Sequence, residues 1–210
     1  NQVLETSTGS KGSLKYLKTG VKDQQILGRK GDDVRIDWGY GYLASTNTEH
    51  ALGVKSLTDL INLSEGNSNE KSASDPELFL TSQWKAKAGP IVKKSMLMLA
   101  YDDLYSIQYF TKNLKAWWIK KHQNIENLLI TSAKEHDQIK QICQNFDKKI
   151  YQDALNAGGK EYAEICVAGY RQSLAAHKLV RGENDEVLFP QKENFSNGSI
   201  WTVDVTYPSA

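Results

Sequence analysis

The sequence has few cysteines, few prolines and no long hydrophobic run. Its 210 residues include only two cysteines, Cys143 and Cys166, and four prolines. A chain of this length can bury a hydrophobic core without covalent cross-links, so a disulfide framework is not required. Both cysteines lie on apolar helical stripes, and we expect buried thiols that pack as small hydrophobic side chains. The longest apolar run, Met96–Tyr101, is far shorter than the ~20 residues of a membrane-spanning helix.

The chain also lacks an excess of either charge and the common catalytic signatures. Its 26 basic and 25 acidic residues leave a net charge of +1, which gives no general attraction to nucleic acid or to an anionic membrane. No glycine-rich phosphate loop, Gly-x-Ser-x-Gly elbow or Cys-x-x-Cys pair occurs. The four histidines are scattered, and none has a second histidine four residues away. We therefore expect no metal and no cofactor.

The first part of the chain is predicted to be β-rich. Glycines divide it into short segments, and Val34–Trp38 alternates apolar and polar residues at the period of a strand. Gly39–Leu43 extends this aromatic, strand-prone character. The pattern over 49–63 fits either a short helix or an extended segment. Ser64–Pro76 is rich in turn residues and poor in apolar ones, which predicts an exposed loop.

From about Gly89-Pro90 the sequence pattern becomes helical. A first amphipathic helix is predicted over 104–117, from apolar residues spaced three or four apart: Leu104, Ile107, Phe110, Leu114 and Trp117. A second is predicted from an N-cap at Asn124 to Gly158-Gly159, with a kink near Lys134–Asp137, where charge interrupts the apolar stripe. A third is predicted from about Lys160 to Arg181.

These patterns predict a mixed α+β protein that is mainly α by content. We place a β-rich region at residues 1–95 and a region of helical hairpins at residues 96–210. Three helices joined by short connections form helical hairpins, but one and a half hairpins bury little apolar surface by themselves. We therefore expect the helical region to belong to a larger helical array.

Two groups of polar residues are candidates for chemistry. Asp102 and Asp103 precede the first predicted helix, where carboxylates would cap its N–H groups; a role in binding a cation or a substrate is the alternative. The last segment, Lys192–Ala210, mixes aromatic, carboxylate, amide and hydroxyl groups. Such a segment suits polar ligands such as sugars or amino acids, or else forms an ordered loop over the helix ends.

Several blocks of the sequence resemble the glutaminase A-like family. The blocks that carry the resemblance are Gly31–Tyr40 (GDDVRIDWGY), Leu99–Ile107 (LAYDDLYSI), Tyr170–Val180 (YRQSLAAHKLV), Lys192–Ile200 (KENFSNGSI) and Thr202–Ala210 (TVDVTYPSA). The family comprises large secreted bacterial and fungal proteins in which a β-sandwich region precedes a helical toroid similar to that of six-hairpin glycosidases. The resemblance implies that residues 1–95 end the β-rich region and that residues 96–210 begin an incomplete (α/α) toroid. It further implies an internal fragment of a secreted or periplasmic protein.

The activity that the resemblance implies is hydrolysis of the glutamine side-chain amide to glutamate and ammonia. Amide hydrolysis needs an activated nucleophile or water, an acid for the leaving nitrogen and donors for the developing oxyanion. We assign the first role to Glu193 or Asp204. The expected substrate-binding residues are Lys192, Asn194, Trp201, Tyr207 and Asp102. Trp201 departs from the family pattern, which favours a small residue at that place.

Two other functions remain open on the sequence. Aromatic and carboxylate groups near the end of the chain also suit a carbohydrate-active toroid, because a toroid of helical hairpins commonly carries glycoside-cleaving carboxylate pairs. The missing catalytic signatures suit a non-catalytic accessory or interaction module. Under the glutaminase hypothesis the expected partners are a small polar substrate and the other domains of the parent chain, and the fragment alone is expected to be inactive.

Overall fold

The computed structural model describes residues 4–28, 37–62, 78–192 and 199–202. Antiparallel strands come first along the chain and a long helical segment follows, so the predicted α+β architecture is confirmed. The chain forms two compact units. The first takes its described residues from 1–28, 36–105 and 121–130, and the second takes them from 106–120 and 131–210.

The first unit is built on antiparallel β-sheet. Its strands are, in chain order, β1 (Leu4–Lys11), β2 (Leu14–Val21), β3 (Tyr40–Ser45), β4 (Ala51–Ser56), β5 (Leu78–Gln83) and β6 (Met98–Asp102). Strands β1, β2, β3 and β6 form one sheet in that order, and β4 pairs with β5 in a separate ribbon. Gly12, with a φ of 59°, lets the chain reverse between β1 and β2, a conformation that glycine adopts without steric cost.

The core of this unit lies along β2 and β3. Leu14 and Leu17 on β2 are fully buried, and Tyr42, Leu43 and Ala44 are buried in succession on β3. Strand β3 is paired on one side with β2 and on the other with β6. Burial of consecutive residues means that both faces of β3 are covered, which is typical of a central strand.

A buried tryptophan fixes the entry into β3. The indole Nε1 of Trp38 donates a hydrogen bond to the backbone oxygen of Asp103 at 2.8 Å. Gly39 follows with a φ of 87°, and a Cβ at this position would lie 2.4 Å from the carbonyl oxygen of Asp102. Only glycine fits here. The strand predicted up to Trp38 is not formed at that residue, and residues 34–36 lie outside the described part of the chain.

The sequence pattern over residues 49–63 fits either a helix or an extended segment, and the structure contains both. Strand β4 is followed by the short helix α1 (Leu57–Ile61). The Ser56 hydroxyl accepts the N–H of Asp59 at 3.1 Å, and the Asp59 carboxylate accepts the N–H of Ser56 at 3.3 Å. This reciprocal capping box starts the helix. The loop predicted over Ser64–Pro76 lies outside the described residues.

The second unit begins with a β-hairpin where the sequence predicted a helix. Its short strands are β7 (Ile107–Tyr109), β8 (Lys112–Leu114), β9 (Val180–Arg181) and β10 (Val187–Leu188). Phe110 and Thr111, between β7 and β8, have φ values of 44° and 67°, as the central residues of a type I′ turn do. The predicted helix over 104–117 is therefore wrong. The seven-residue spacing of Ile107 and Leu114 fits two helical turns, but here it places the two residues opposite each other across the hairpin.

Two helices follow, α2 (Trp118–His122) and α3 (Ile125–Ala175). The predicted N-cap of the second is confirmed, because the Asn124 side-chain oxygen accepts the N–H of Asn127 at 2.9 Å. The kink predicted near Lys134–Asp137 is wrong, since that stretch is continuous helix. Its charged side chains are exposed or half-buried, and it contains neither proline nor glycine to interrupt the backbone.

Helix α3 is broken at Gly159, which has a φ of 83° and a ψ of −174°. The predicted stop at Gly158-Gly159 is thus confirmed, and it divides α3 into a first arm, 125–158, and a second arm, 160–175. The arms fold back on each other in antiparallel fashion. The rings of Phe146 and Tyr170 lie 5.3 Å apart, and Arg171 pairs with Asp147. The second unit therefore contains a helical hairpin.

Each arm of α3 has a buried alanine. Ala154 on the first arm and Ala163 on the second are both buried, which allows close approach of the helices. The second arm ends at Ala175 and does not reach Arg181, because the chain turns there into β structure. Cys166 is half-buried and Cys143 is exposed, and both thiols are free. The burial expected for Cys143 is therefore wrong.

The first turn of α3 belongs to the first unit, with the other residues of 121–130, and there it is tied to the β1–β2 hairpin. The Tyr16 hydroxyl donates a hydrogen bond to the Glu126 carboxylate at 2.7 Å, and Lys11 donates to the Asn127 side-chain oxygen at 2.8 Å. The Tyr16 ring also contacts the edge of the buried Tyr42 ring at 5.7 Å. The hydrogen bond to Glu126, together with burial, raises the pKa of Tyr16 to about 12.

Across the described ranges, no helix combines the length and the apolar character that crossing a membrane would need.

Replacement of Gly159 by alanine should destabilise the protein. The backbone at Gly159 lies in a region that is open essentially to glycine alone, so we expect a loss of about 1–3 kcal/mol. A Cβ built there meets no described atom within 4 Å, so the cost comes from the backbone and not from a clash. Gly169→Ala is the matched control: it also meets no described atom, but it lies inside the second arm and should gain about 1 kcal/mol. Urea unfolding measures both changes, and a shift of the same sign in the two variants would contradict the assignment.

Tyr16→Phe should lower the free energy of unfolding by about 1 kcal/mol, because it removes a partly screened hydrogen bond to a carboxylate. The folded state raises the pKa of Tyr16 above its ordinary value of 10.0 to about 12, so it holds this proton more tightly than the unfolded state does. The Tyr16 contribution is thus complete below pH 10 and is lost as the pH rises to about 12. The stability difference between wild type and variant should shrink over that interval. The control is Tyr40→Phe, because the Tyr40 hydroxyl has no hydrogen bond among the described residues. This change should alter neither the free energy of unfolding nor its dependence on pH.

Candidate functional site

The predicted site residues fall into two groups. Four of them lie outside the described part of the chain: Glu193, Asn194, Asp204 and Tyr207. The structure places the other three. Lys192 and Trp201 belong to the second unit, and Asp102 belongs to the first.

The chain after α3 forms a set of short antiparallel pairings, here called the C-terminal ribbon (described residues 176–192 and 199–202). Strand β9 pairs with β10. Isolated bridges join Ala116 to Val180, His177 to Gln191 and Lys192 to Ile200. The N–H of Lys192 donates to the Ala176 oxygen and the N–H of Trp201 donates to the Gln191 oxygen, both at 2.9 Å. The ribbon therefore holds Lys192 and Trp201 in fixed positions close to each other along its pairings.

A small apolar core supports the ribbon. Val180 on β9 is fully buried and packs with Ile107 and Leu114 of the β7–β8 hairpin. Leu188 and Ile200 cover the same cluster from the ribbon side. The aliphatic positions that gave a false helical pattern thus form the base on which the candidate site rests.

Three aromatic side chains form a surface beside the ribbon. The ring of Trp201 meets the Tyr109 ring edge-on at a centroid distance of 5.5 Å, and Tyr109 meets Phe110 at 4.6 Å. Phe110, at the tip of the hairpin, is 81% exposed, and Trp201 is 38% exposed. We call Tyr109, Phe110 and Trp201 the aromatic surface. Edge-to-face packing of this kind fixes ring orientation and leaves apolar faces open to a ligand.

Two lysines of the ribbon lie close enough to repel each other. Both Lys192 and Lys178 are half-buried. Burial, and in second place the positive charge of Lys178, lower the pKa of Lys192. The N–H of Lys178 donates to the Pro190 oxygen at 3.0 Å, so the backbone of the ribbon holds this lysine in place. Two neighbouring ammonium groups create a local positive potential that favours an anionic ligand group such as a carboxylate.

Asp102 does not cap a helix, contrary to one of the roles predicted for it. It ends strand β6, and its carboxylate accepts the N–H of Leu104 at 3.0 Å. Leu104 has a φ of 59°, so this hydrogen bond closes a turn. Asp103 is buried and forms part of the same turn. A substrate-binding role for Asp102 stays a prediction.

In the part of the chain that the structure describes, no three His, Cys, Asp or Glu side chains come together in a way that could hold a metal ion.

Sequence reasoning missed Lys178, Tyr109 and Phe110. The two aromatic residues were placed in a helix, although the run Ile107–Thr111 (IQYFT) is rich in aromatic and β-branched residues and favours a strand. Lys178 was placed inside the third predicted helix. No local signal marks its electrostatic interaction with Lys192, because this interaction depends on the chain turning back after α3.

Lys178→Gln should raise the pKa of Lys192 toward its usual value, because it removes the like charge that disfavours the ammonium form. Lys178→Arg keeps the charge and should leave the pKa of Lys192 lowered. NMR titration of ¹³C-methylated lysines measures the value in each variant. An equal pKa of Lys192 in the Gln and Arg variants would show that the two ammonium groups do not interact.

Two family models match the chain. Residues 1–153 match a family described as Domain of unknown function (DUF5127), and residues 159–210 match the Glutaminase A six helical-hairpin domain. The second match begins at Gly159, the residue that breaks α3. It contains the second arm and the C-terminal ribbon.

Two curated proteins are similar to parts of the chain. Glutaminase A of Aspergillus oryzae is 35% identical over 68 residues, which are 32% of this chain and 10% of that protein. A protein of Arthroderma benhamiae named Probable glutaminase is 27% identical over 96 residues, which are 46% of this chain and 11% of that protein. The matches therefore span about a tenth of the length of these relatives. No solved structure gave a significant match. Because the first family model covers 153 of the 210 residues, the chain belongs to the DUF5127 family, and the match of residues 159–210 to the hairpin domain supports its identification as a fragment of the glutaminase A-like family.

Proposed function

We propose that this chain is part of a glutaminase that hydrolyses the side-chain amide of L-glutamine to glutamate and ammonia. The observation that carries the proposal is the match of residues 159–210 to the glutaminase A hairpin domain. That segment holds the lysine pair and Trp201, and it also contains the carboxylates predicted to act in catalysis. The family match and the candidate site thus fall on the same residues.

The lysine pair and the aromatic surface suit two different parts of a glutamine molecule, its α-carboxylate and its methylene chain. The positive potential of Lys192 and Lys178 favours the α-carboxylate, which would form charge-assisted hydrogen bonds with an ammonium group. The open faces of Trp201 and Phe110 offer apolar contact for the methylene chain. Glu193, next to Lys192 in sequence, and Asp204 are the proposed groups that activate water or attack the amide carbon. Asn194 and Tyr207 are the proposed donors to the oxyanion and to the leaving nitrogen.

In the full-length protein, Glu193→Gln and Asp204→Asn should each lower kcat for ammonia release from glutamine, by about 10²–10⁴-fold for the residue that acts as general base. Lys192→Met should instead raise KM by about tenfold, because it removes a charged contact worth roughly 1.5 kcal/mol or more. Lys160→Met is the surface-lysine control and should change neither constant, since its side chain is 76% exposed and pairs only with Glu164 in the described part of the chain. Coupled detection of ammonia measures kcat and KM.

Full turnover in both carboxylate variants would remove these residues from catalysis and favour a non-catalytic accessory role for the segment. The 210-residue chain is proposed to be inactive alone, because its matches span only about a tenth of the glutaminase relatives and we propose that other parts of the parent chain complete the site. Ammonia release by the isolated 210 residues at the rate of the full-length protein would contradict that part of the proposal.

A carbohydrate-active toroid is the second candidate function. The observation that favours it is the exposed aromatic surface, since sugar rings bind on open aromatic faces. One comparison of substrates, glutamine against a panel of glycans, distinguishes the glutaminase function from the carbohydrate-active function. A full-length protein that turns over glutamine and leaves a panel of glycans uncleaved excludes the second.

We also propose a secreted or periplasmic location and a small polar substrate as the ligand. The resemblance to the secreted members of the family supports the location. The net charge of +1 supports the proposal that nucleic acid is not a partner. The other domains of the parent chain are the proposed protein partners.

A further inference from the structure

A histidine in the first unit lies between two serine hydroxyl groups. His50 is buried, with 7% of its surface exposed. Its Nδ1 lies 2.5 Å from the Ser82 hydroxyl, and its Nε2 lies 2.5 Å from the Ser95 hydroxyl. The Trp84 ring is nearly parallel to the imidazole, at a centroid distance of 6.1 Å and an angle of 8°. Both ring nitrogens are therefore held by hydroxyl partners, and one ring face is next to the indole.

The two serines differ in their access to solvent. Ser95 is exposed, whereas Ser82, at the end of β5, is half-buried. The imidazole thus connects a hydroxyl group at the surface with one in the interior. A reachable hydroxyl, a histidine within hydrogen-bond distance of it and a third group that orients the histidine are the parts of a nucleophilic catalytic site.

A turn at Asn47 positions both the histidine and the exposed serine. The backbone oxygen of Asn47 accepts the N–H of His50 at 3.2 Å, and its side-chain amide donates to the Ser95 hydroxyl oxygen at 3.1 Å. The Ser45 hydroxyl donates to the backbone oxygen of Met96 at 3.1 Å, which fixes the residue after Ser95. The base and the candidate nucleophile are therefore both held by backbone and side-chain groups of one short segment, 45–50.

The donors and acceptors of this cluster favour one arrangement of protons. A neutral imidazole carries one N–H and one acceptor nitrogen. The oxygen of Ser95 already accepts from the Asn47 amide, so its own proton is available for the Nε2 of His50. We assign the tautomer in which the N–H of the ring lies on Nδ1 and is donated to the Ser82 hydroxyl oxygen. In this tautomer Nε2 is placed to remove a proton from the Ser95 hydroxyl.

We propose that Ser95, His50 and Ser82 form an acyl-transfer site for carboxylic esters, separate from the lysine pair and the aromatic surface. The Ser95 oxygen attacks the ester carbonyl, and its proton passes to Nε2 of His50. The protonated histidine gives that proton to the departing alcohol, which leaves an acyl-serine. Water then attacks the acyl-serine while His50 takes its proton, and His50 returns that proton to the Ser95 oxygen as the carboxylic acid leaves. The Asn47 amide, already directed at the Ser95 oxygen, donates to the oxyanion that forms on the carbonyl.

Ser82 is a positioning residue in this site. It holds the ring of His50 through Nδ1 and does not touch the substrate. A hydroxyl acceptor stabilises the imidazolium less than a carboxylate does, so the site should be slower than one with an Asp in that role. Such a slower site favours esters over amides as substrates, because an alcohol is the easier leaving group.

The test is covalent labelling of the full-length protein with a fluorophosphonate probe, followed by peptide mass spectrometry. The proposal expects labelling at Ser95 and an acetyl-enzyme burst with p-nitrophenyl acetate. Ser95→Ala should abolish both, and His50→Gln should slow labelling at Ser95 by about 10²-fold or more. Ser82→Ala should slow it by about tenfold, and Ser82→Thr, which keeps the hydroxyl, should restore it. Ser10→Ala, at an exposed serine on β1, is the matched control and should leave labelling unchanged.

Each outcome decides for or against the site. Ser95 is exposed, so Ser95→Ala should fold normally, and circular dichroism establishes this independently of labelling. Absence of labelling at Ser95 in folded wild-type protein overturns the proposal. Labelling that is equally fast in wild type and in folded His50→Gln also overturns it, because Ser95 would then be an ordinary surface hydroxyl. Loss in Ser82→Ala without recovery in Ser82→Thr would overturn the role of Ser82 as the group that orients His50.

Discussion

The backbone conformation at Gly159 determines the course of the chain through the second unit. At 1.5 Å per residue a straight helix of the length of α3 would extend for roughly 75 Å, far beyond what a small unit can cover. The left-handed φ at Gly159 lets the second arm return along the first, so that Tyr170 and Arg171 come to lie beside Phe146 and Asp147. The chain then leaves the helix at Ala175 and enters the C-terminal ribbon. Every residue of the candidate site after that point depends on this reversal.

The ribbon in turn depends on a short hairpin that comes long before it in sequence. Val180 is buried against Ile107 and Leu114, so the ribbon could not form its present pairings if residues 104–117 were helical. The same hairpin carries Tyr109 and Phe110 to the side of Trp201. One local choice of structure, the type I′ turn at residues 110–111, therefore supplies both the apolar base of the site and part of its surface.

Features set by neighbouring residues could be predicted from the sequence, and features set by distant contacts could not. The cap at Asn124 and the stop at Gly158-Gly159 depend on a few adjacent residues, and both were predicted correctly. The helix over 104–117 was wrong because an i, i+7 pair fits a helix and a hairpin equally well, and Val180, against which Ile107 and Leu114 pack, is distant in sequence. The cluster around His50 brings together residues 32 and 45 positions apart, and no spacing in the sequence indicates such a contact.

The lysine pair is hard to explain by stability alone. Burial, and in second place the charge of Lys178, lower the pKa of Lys192, so keeping Lys192 charged costs folding energy. A bound carboxylate reverses this balance, because it would interact favourably with both charges and restore the pKa of Lys192. Local arrangements that lower the stability of the free protein are typical of binding sites.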